Sequence, residues 1–121
     1  MSITESARIY NLFPKLLGPI PRWIGHFPRI AVMKFNWLFL NPLQYTGFSG
    51  SLYSIKDYYK LNPLFFDESA GESETDQLKR MLNEAHKFGL KVMMDLVVNH
   101  TAIDHPFTEE HKDWYKLDDE G

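Results

Sequence analysis

Lys91-Val92-Met93-Met94-Asp95-Leu96-Val97-Val98-Asn99-His100-Thr101 reads as a strand that opens into a polar loop. Val92, Met93, Met94, Leu96, Val97 and Val98 are apolar without alternation, the pattern of a parallel strand covered on both faces. One carboxylate, Asp95, interrupts the run. A charge inside such a segment is costly unless it is paired, so Asp95 is expected to meet a cation. Asn99 and His100 emerge together at the end of the strand. The carboxyl ends of parallel strands are where α/β proteins place their sites.

Outward from this segment, the chain alternates strands and helices. Arg8-Ile9-Tyr10-Asn11-Leu12-Phe13 reads as a first strand closed by Pro14. A helix is predicted from about Pro21 to Lys34 through Trp23, Phe27, Ile30 and Ala31, with Trp23, Phe27 and Ile30 expected in the core. Pro28 within it must either kink that helix or open its main part. Asn36-Trp37-Leu38-Phe39-Leu40-Asn41 is a second strand ended by Pro42. Pro42 to Ser73 is predicted as a long loop, a length that is usually functional. Of its adjacent Tyr58 and Tyr59, one is expected to pack under the loop and the other to be exposed. Leu78, Met81, Leu82, Ala85 and Phe88 then fall at helical spacing, with Ser73 or Thr75 as cap and Gly89 as stop. Two βαβ crossovers follow from this order. No glycine-rich nucleotide cradle follows any strand. The fold class is α/β, and the expected architecture is the first three βα-type units of a (β/α)8 TIM barrel, left incomplete.

Composition narrows the function classes. The 121 residues support one domain; 44% are hydrophobic and 24% charged, as in soluble globular proteins. A net charge of −3 gives no electrostatic case for nucleic acid or an anionic membrane. No run approaches the roughly 18 apolar residues of a membrane span, and residues 1–6 carry no secretory pattern. There is no cysteine, hence no disulfide framework and no thiol nucleophile; a reducing cytoplasm suits this best.

Three segments carry a resemblance. Asp95-Leu96-Val97-Val98-Asn99-His100 is similar to the first signature region of the α-amylase family, glycoside hydrolase family 13. Tyr53-Ser54-Ile55-Lys56-Asp57-Tyr58 resembles the family's segment after strand two, and Arg8–Pro14 resembles its first strand. Gly47-Phe48-Ser49-Gly50-Ser51-Leu52-Tyr53 also resembles maltosyltransferase members that use maltose 1-phosphate. The resemblance implies α-glucan or maltooligosaccharide chemistry through a covalent glycosyl-enzyme. Tyr53 would stack on a sugar ring, His100 would hydrogen-bond its hydroxyls, and Asp57 would belong to the same substrate-binding set. Asp95 would be structural, pairing with an arginine from the fourth strand. Asn99 would supply an oxygen to a structural calcium, an ion that many members lack. Sugars present apolar faces to rings and many hydroxyls to polar groups, in agreement with these residue types.

The departures matter as much. Ser54 stands where the family usually has aspartate. The family's nucleophile aspartate, acid/base glutamate and third aspartate belong to later strands, and none of their motifs is present. Retaining glycosidases need two carboxyls about 5–5.5 Å apart with tuned pKa values. Asp57, Asp95 and Asp104 are the local candidates, and nothing in the sequence makes a matched pair of them. His100, His105 and His111 with Asp104, Glu109 and Glu110 fit no recognised zinc spacing and read as a solvated loop.

Residues 1–121 are therefore expected to be the amino-terminal portion of an amylase-type catalytic barrel, with about 101–121 beginning the subdomain after strand three. Alone it is expected to be inactive, with an apolar edge at Trp37–Leu40 or Val92–Val98 open to self-association or to the rest of the barrel. The alternatives are a non-catalytic carbohydrate-binding module and a structural fragment that needs a second chain.

Overall fold

The computed structural model describes residues 5–120. Of the amino-terminal stretch read as lacking a secretory pattern, residues 1–4 lie outside them. Three short parallel strands, β1 (Ile9–Leu12), β2 (Trp37–Leu40) and a later strand (Lys91–Met94), form one sheet with β2 in the middle. The register runs Leu12↔Leu40 on one side and Leu40↔Met94 on the other. Trp37–Leu40 is thus the central strand, and the two open edges belong to its neighbours.

Pro14 does more than end β1. It supplies the first turn of a short helix, α1 (Pro14–Leu17), where its missing N–H costs nothing. Gly18, at φ 73°, closes α1 by donating to Pro14 O, and its own carbonyl accepts from the Trp23 indole at 2.8 Å. The predicted helix over residues 21–34 is two helices joined by a tighter turn: α2 (Ile20–Trp23), a 3₁₀ turn (Ile24–His26) and α3 (Phe27–Val32). Pro28 stands at the start of α3. Proline cannot donate to the carbonyl four residues back, so the chain tightens before it and a new helix begins. Trp23, Phe27 and Ile30 are wholly buried, as expected, and Ile20 joins them.

The stretch predicted as a loop after β2 contains an antiparallel hairpin, β3 (Gln44–Thr46) and β4 (Ile55–Leu61), with register shifts at Tyr45. The helix α4 (Glu74–Lys87) then returns to the third parallel strand, β5 (Lys91–Met94). Ser73 Oγ caps α4 by accepting from Asp76 N at 3.1 Å, and Gly89 leaves the helix at φ 72°. Met81 and Ala85 bury against α2 and the sheet, and Trp23 meets Phe65 edge-on at a centroid distance of 5.8 Å. A last short helix, α5 (Phe107–Glu110), lies in the tail.

Gln77 is a wholly buried polar group that carries no signal in the sequence. Its Oε1 accepts from Asp67 N at 3.0 Å while its Nε2 donates to Asp67 O at 2.7 Å, so one side chain satisfies both backbone groups of Asp67. This fixes the segment before α4 to the helix.

The expectation that the parallel strands are covered on both faces is corrected. In β2 only Leu38 and Leu40 are buried, while Trp37 and Phe39 on the other face are half-buried. Helices cover one face of the sheet in these residues. The ladder of β5 ends at Met94 and Asp95 N adds one bond to Leu40 O at 2.9 Å. Beyond it, Leu96 is 54% and Val98 81% exposed. No described helix is long and apolar enough to cross a membrane.

Candidate functional site

The carboxyl ends of β1 and β2 carry a chain of amides that ends on Tyr53. Asn11, in β1, donates from Nδ2 to Phe39 O at 3.1 Å and to Asn41 Oδ1 at 2.9 Å. Asn41, buried just past β2, donates from its own Nδ2 to the Tyr53 hydroxyl oxygen at 2.9 Å. Tyr53 sits in the turn between β3 and β4 with its side chain partly open to solvent. Neither asparagine was picked out in the sequence. Asn41 closes an apolar strand, the one signal that could have drawn attention to it, whereas Asn11 lies inside β1.

The loop after β5 reaches the same turn. His100 Nε2 hydrogen-bonds the backbone carbonyl of Tyr53 at 2.9 Å. A carbonyl only accepts, so Nε2 carries the proton and Nδ1 is the lone-pair side, which faces Asn99 Nδ2 at 3.4 Å. The structure therefore brings Tyr53 and His100 together, and it commits the Nε2 proton to holding the tyrosine's backbone. Tyr58 adds a second tie. Its hydroxyl donates to Val97 O at 2.8 Å and lies 3.3 Å from His100 O. Burial, with Tyr115 nearby, pushes this phenol above its ordinary 10.0. Tyr59 is exposed, so the tyrosine pair divides as the sequence reading expected.

A third tie closes the rim. Ala102 N donates to Ile55 O at 2.8 Å, and Asp104 Oδ2 accepts from Phe48 N at 3.3 Å and pairs with Lys56 Nζ at 3.2 Å. Burial pushes the Asp104 carboxyl up, yet Lys56 and the backbone N–H groups of Asp104 and Phe48 hold it below the ordinary 3.8. Gly47 makes this approach possible. A Cβ there would meet Ala102 Cβ at 2.5 Å and overlap Asp104 Oδ1.

The other predicted site residues are placed apart from this constellation. Asp57 Oδ1 accepts from Tyr59 N at 2.8 Å and its carboxylate faces Lys60 at 3.9 Å; no hydrogen bond joins it to Tyr53 or His100. Asp95 is half-buried and has no cation within ion-pair distance among the described residues. The expected pairing is thus not made here. The arginine that the resemblance implies would come from a fourth parallel strand, and the described residues form three. His105 also departs from the solvated-loop reading. It is buried beside Tyr58 and Phe107, and its Nδ1 accepts from Phe107 N at 3.0 Å. His111 instead stacks on Trp114 with centroids 3.8 Å apart. No three His, Cys, Asp or Glu side chains gather around one point among the described residues.

Parallel strands whose carboxyl-end loops converge on a tyrosine and an imidazole can be set beside known proteins. The family model described as the glucanotransferase domain of glycogen debranching enzyme matches residues 3–116. The chain belongs to the α-amylase family. Trehalose-6-phosphate hydrolase of Bacillus subtilis is 29% identical over 114 residues, covering 88% of this chain and 19% of the hydrolase. An α-1,4-glucan:maltose-1-phosphate maltosyltransferase of Burkholderia pseudomallei is 25% identical over 111 residues, covering 92% of this chain and 10% of that protein. Among solved structures, an α-amylase from Lactobacillus plantarum superposes with a TM-score of 0.78 at 29% identity, covering 93% of this chain and 27% of the amylase. The chain spans about a fifth of the length of the Bacillus subtilis hydrolase and of an oligo-1,6-glucosidase of Heyndrickxia coagulans. The curated relatives include both hydrolases and a transferase.

Proposed function

We propose that this α-amylase-family chain forms the first three βα-type units and the sugar-gripping rim of an α-glucan-active barrel, a retaining glycoside hydrolase or glycosyltransferase. The observation that carries this reading is the 2.9 Å hydrogen bond between His100 Nε2 and Tyr53 O, which joins the loops after β2 and β5 into one surface. Tyr53 offers its ring to the apolar face of a glucose unit, and Asp57 offers a carboxylate oxygen further along β4. His100 acts mainly through Tyr53, whose backbone it holds. Asn99 would give one oxygen to a calcium, an ion that takes six to eight oxygen ligands. Residues from about 101 onward begin the subdomain after strand three, and a cytoplasmic setting belongs to the same reading.

Alone, the chain is expected to bind without cleaving. Asp57 and Asp104 are each engaged by separate partners, and Asp95 stands by itself, so no carboxylate pair straddles a scissile bond. Calorimetric titration of the chain with maltotetraose should give heat that is lost in Tyr53→Ala, with no reducing sugar released. Flat heats for the wild type, or product formation by the chain alone, would overturn this reading.

One observation favours a companion reading, that a second polypeptide or a second copy completes the sheet. β1 and β5 are each paired on one side only, and unpaired strand edges recruit partners. Mixing with a polypeptide carrying the remaining strands should restore glucan-active chemistry; persistent inactivity and no complex would count against it.

A further inference from the structure

We infer that Asn11 and Asn41 set the hydrogen-bond polarity of Tyr53, making its hydroxyl an obligate donor toward whatever binds at the rim. The logic starts from a group that cannot change role. Phe39 O is a backbone carbonyl and only accepts, so the Asn11 atom 3.1 Å away must be the amide nitrogen. That nitrogen has a second proton, and it points at Asn41, 2.9 Å distant. Asn41 must therefore turn its carbonyl oxygen toward Asn11 and its NH₂ toward Tyr53. The Tyr53 oxygen thus receives a proton. Among the described residues the hydroxyl makes no other hydrogen bond, so its own proton faces the open side of the ring.

The consequence is a selection rule. An atom that meets Tyr53 Oη must accept: a sugar hydroxyl through a lone pair, a ring or bridging oxygen, or a phosphate oxygen. An ammonium or other pure donor is disfavoured, because it meets the Tyr53 proton on the open side and one oxygen lone pair is already taken by Asn41. Asn41 earns this role by burial, since an 8% exposed amide with both ends engaged has little freedom to flip. Asn11 and Asn41 are positioning residues, acting through Tyr53. That the ligand is a glucan rests on the function proposed above; the polarity itself does not.

The test separates the two. The Raman Fermi doublet of tyrosine distinguishes a phenol that accepts from one that donates, and subtracting the spectrum of Tyr53→Phe isolates Tyr53 in the unliganded chain. The wild type should show the form of a phenol that accepts from Asn41 while donating to water. Asn41→Asp replaces the NH₂ by an acceptor and should convert the doublet to the donor form, because the Tyr53 proton then turns inward. Asn11→Ala, at an exposed position, should give a mixture, since the Asn41 amide is then free to flip; this variant serves if Asn41→Asp fails to fold. A donor-type doublet in the wild type, or no change in the folded variants, overturns the inference. In calorimetry, Asn41→Asp should bind maltotetraose about tenfold more weakly, the worth of one hydrogen bond. Equal affinity would overturn the selection rule. If the wild type binds no maltotetraose, the glucan reading falls and the doublet alone decides the polarity.

Discussion

Replacing Gly47 by alanine tests the closure of the rim at its tightest point. The added Cβ would meet Ala102 Cβ at 2.5 Å and overlap Asp104 Oδ1. Neither obstacle can step aside freely. Ala102 is buried and its methyl rides on the backbone, while Asp104 is held by Lys56 and Phe48 N. Overpacking of this kind costs about 1–3 kcal/mol, and two stiff neighbours place Gly47→Ala in the upper part, about 2–3 kcal/mol. With a urea m-value of about 2 kcal/mol/M, the unfolding midpoint should fall by about 1–1.5 M at unchanged slope. Gly25→Ala is the control, because a Cβ there has nothing within 4 Å. It lies in the 3₁₀ turn before α3, where alanine limits the unfolded chain more than glycine does, so its midpoint should stay or rise slightly. Adding Asp104→Ala should cost less in the Gly47→Ala background than in the wild type, since it removes one of the two overlaps. If Gly47→Ala unfolds at the midpoint of Gly25→Ala, the close approach of the two loops is not what the structure describes.

Gln77→Leu should destabilise by about 1–3 kcal/mol, because Asp67 loses the partners of both its backbone N–H and C=O; hydrogen exchange at the Asp67 amide should accelerate more than at the centre of α4. Ser73→Ala should cost about 1 kcal/mol through loss of the cap on Asp76 N, read as a lowered urea midpoint. Acid should weaken the fold in a defined direction. Asp67 is held below 3.8 chiefly by the Ser69 hydroxyl, and Asp104 lies below it because Lys56 and backbone N–H groups outweigh its burial. Folded carboxyls below their unfolded values stabilise at pH above those values, and the gain is lost as pH falls through the folded ones. Stability should therefore hold from about pH 7 to 5 and decline below about pH 4. Asp104→Asn should flatten part of that decline; an unchanged acid limb would remove Asp104 from the account.

What the sequence made legible follows from periodicity. The spacing of Leu78, Met81, Leu82 and Ala85, with Ser73 before and Gly89 after, locates α4 to within a residue or two, because cap chemistry and burial agree there. The first two parallel strands were equally plain as apolar runs between breakers, whereas the third, read through Val98, ends at Met94. The hairpin was not plain. β4 reads Ile-Lys-Asp-Tyr-Tyr-Lys-Leu, buried chiefly at its two ends, so no alternation marks it, and its register against β3 slips twice. At the site, Tyr53 and His100 stood out by residue type and position, and the structure places them in contact. Asn11, Asn41, Gly47 and Lys56 did not, because their meaning lies in partners 12 to 57 positions away. Asp95 stands half-buried just past the last paired residue of β5, and the arginine expected to meet it belongs to a fourth strand.

The ties between the hairpin and the segment after β5 have a mechanical outcome. His100 to Tyr53, Tyr58 to Val97, Ala102 to Ile55 and Lys56 to Asp104 rivet the two into a single plate, while Lys15 pins the tip of the turn to α1 through Gly50 O. A plate fastened in this way swings as a whole or stays put. Any load placed on one half is shared by the other, so the hairpin and the segment after β5 shift together across their full breadth.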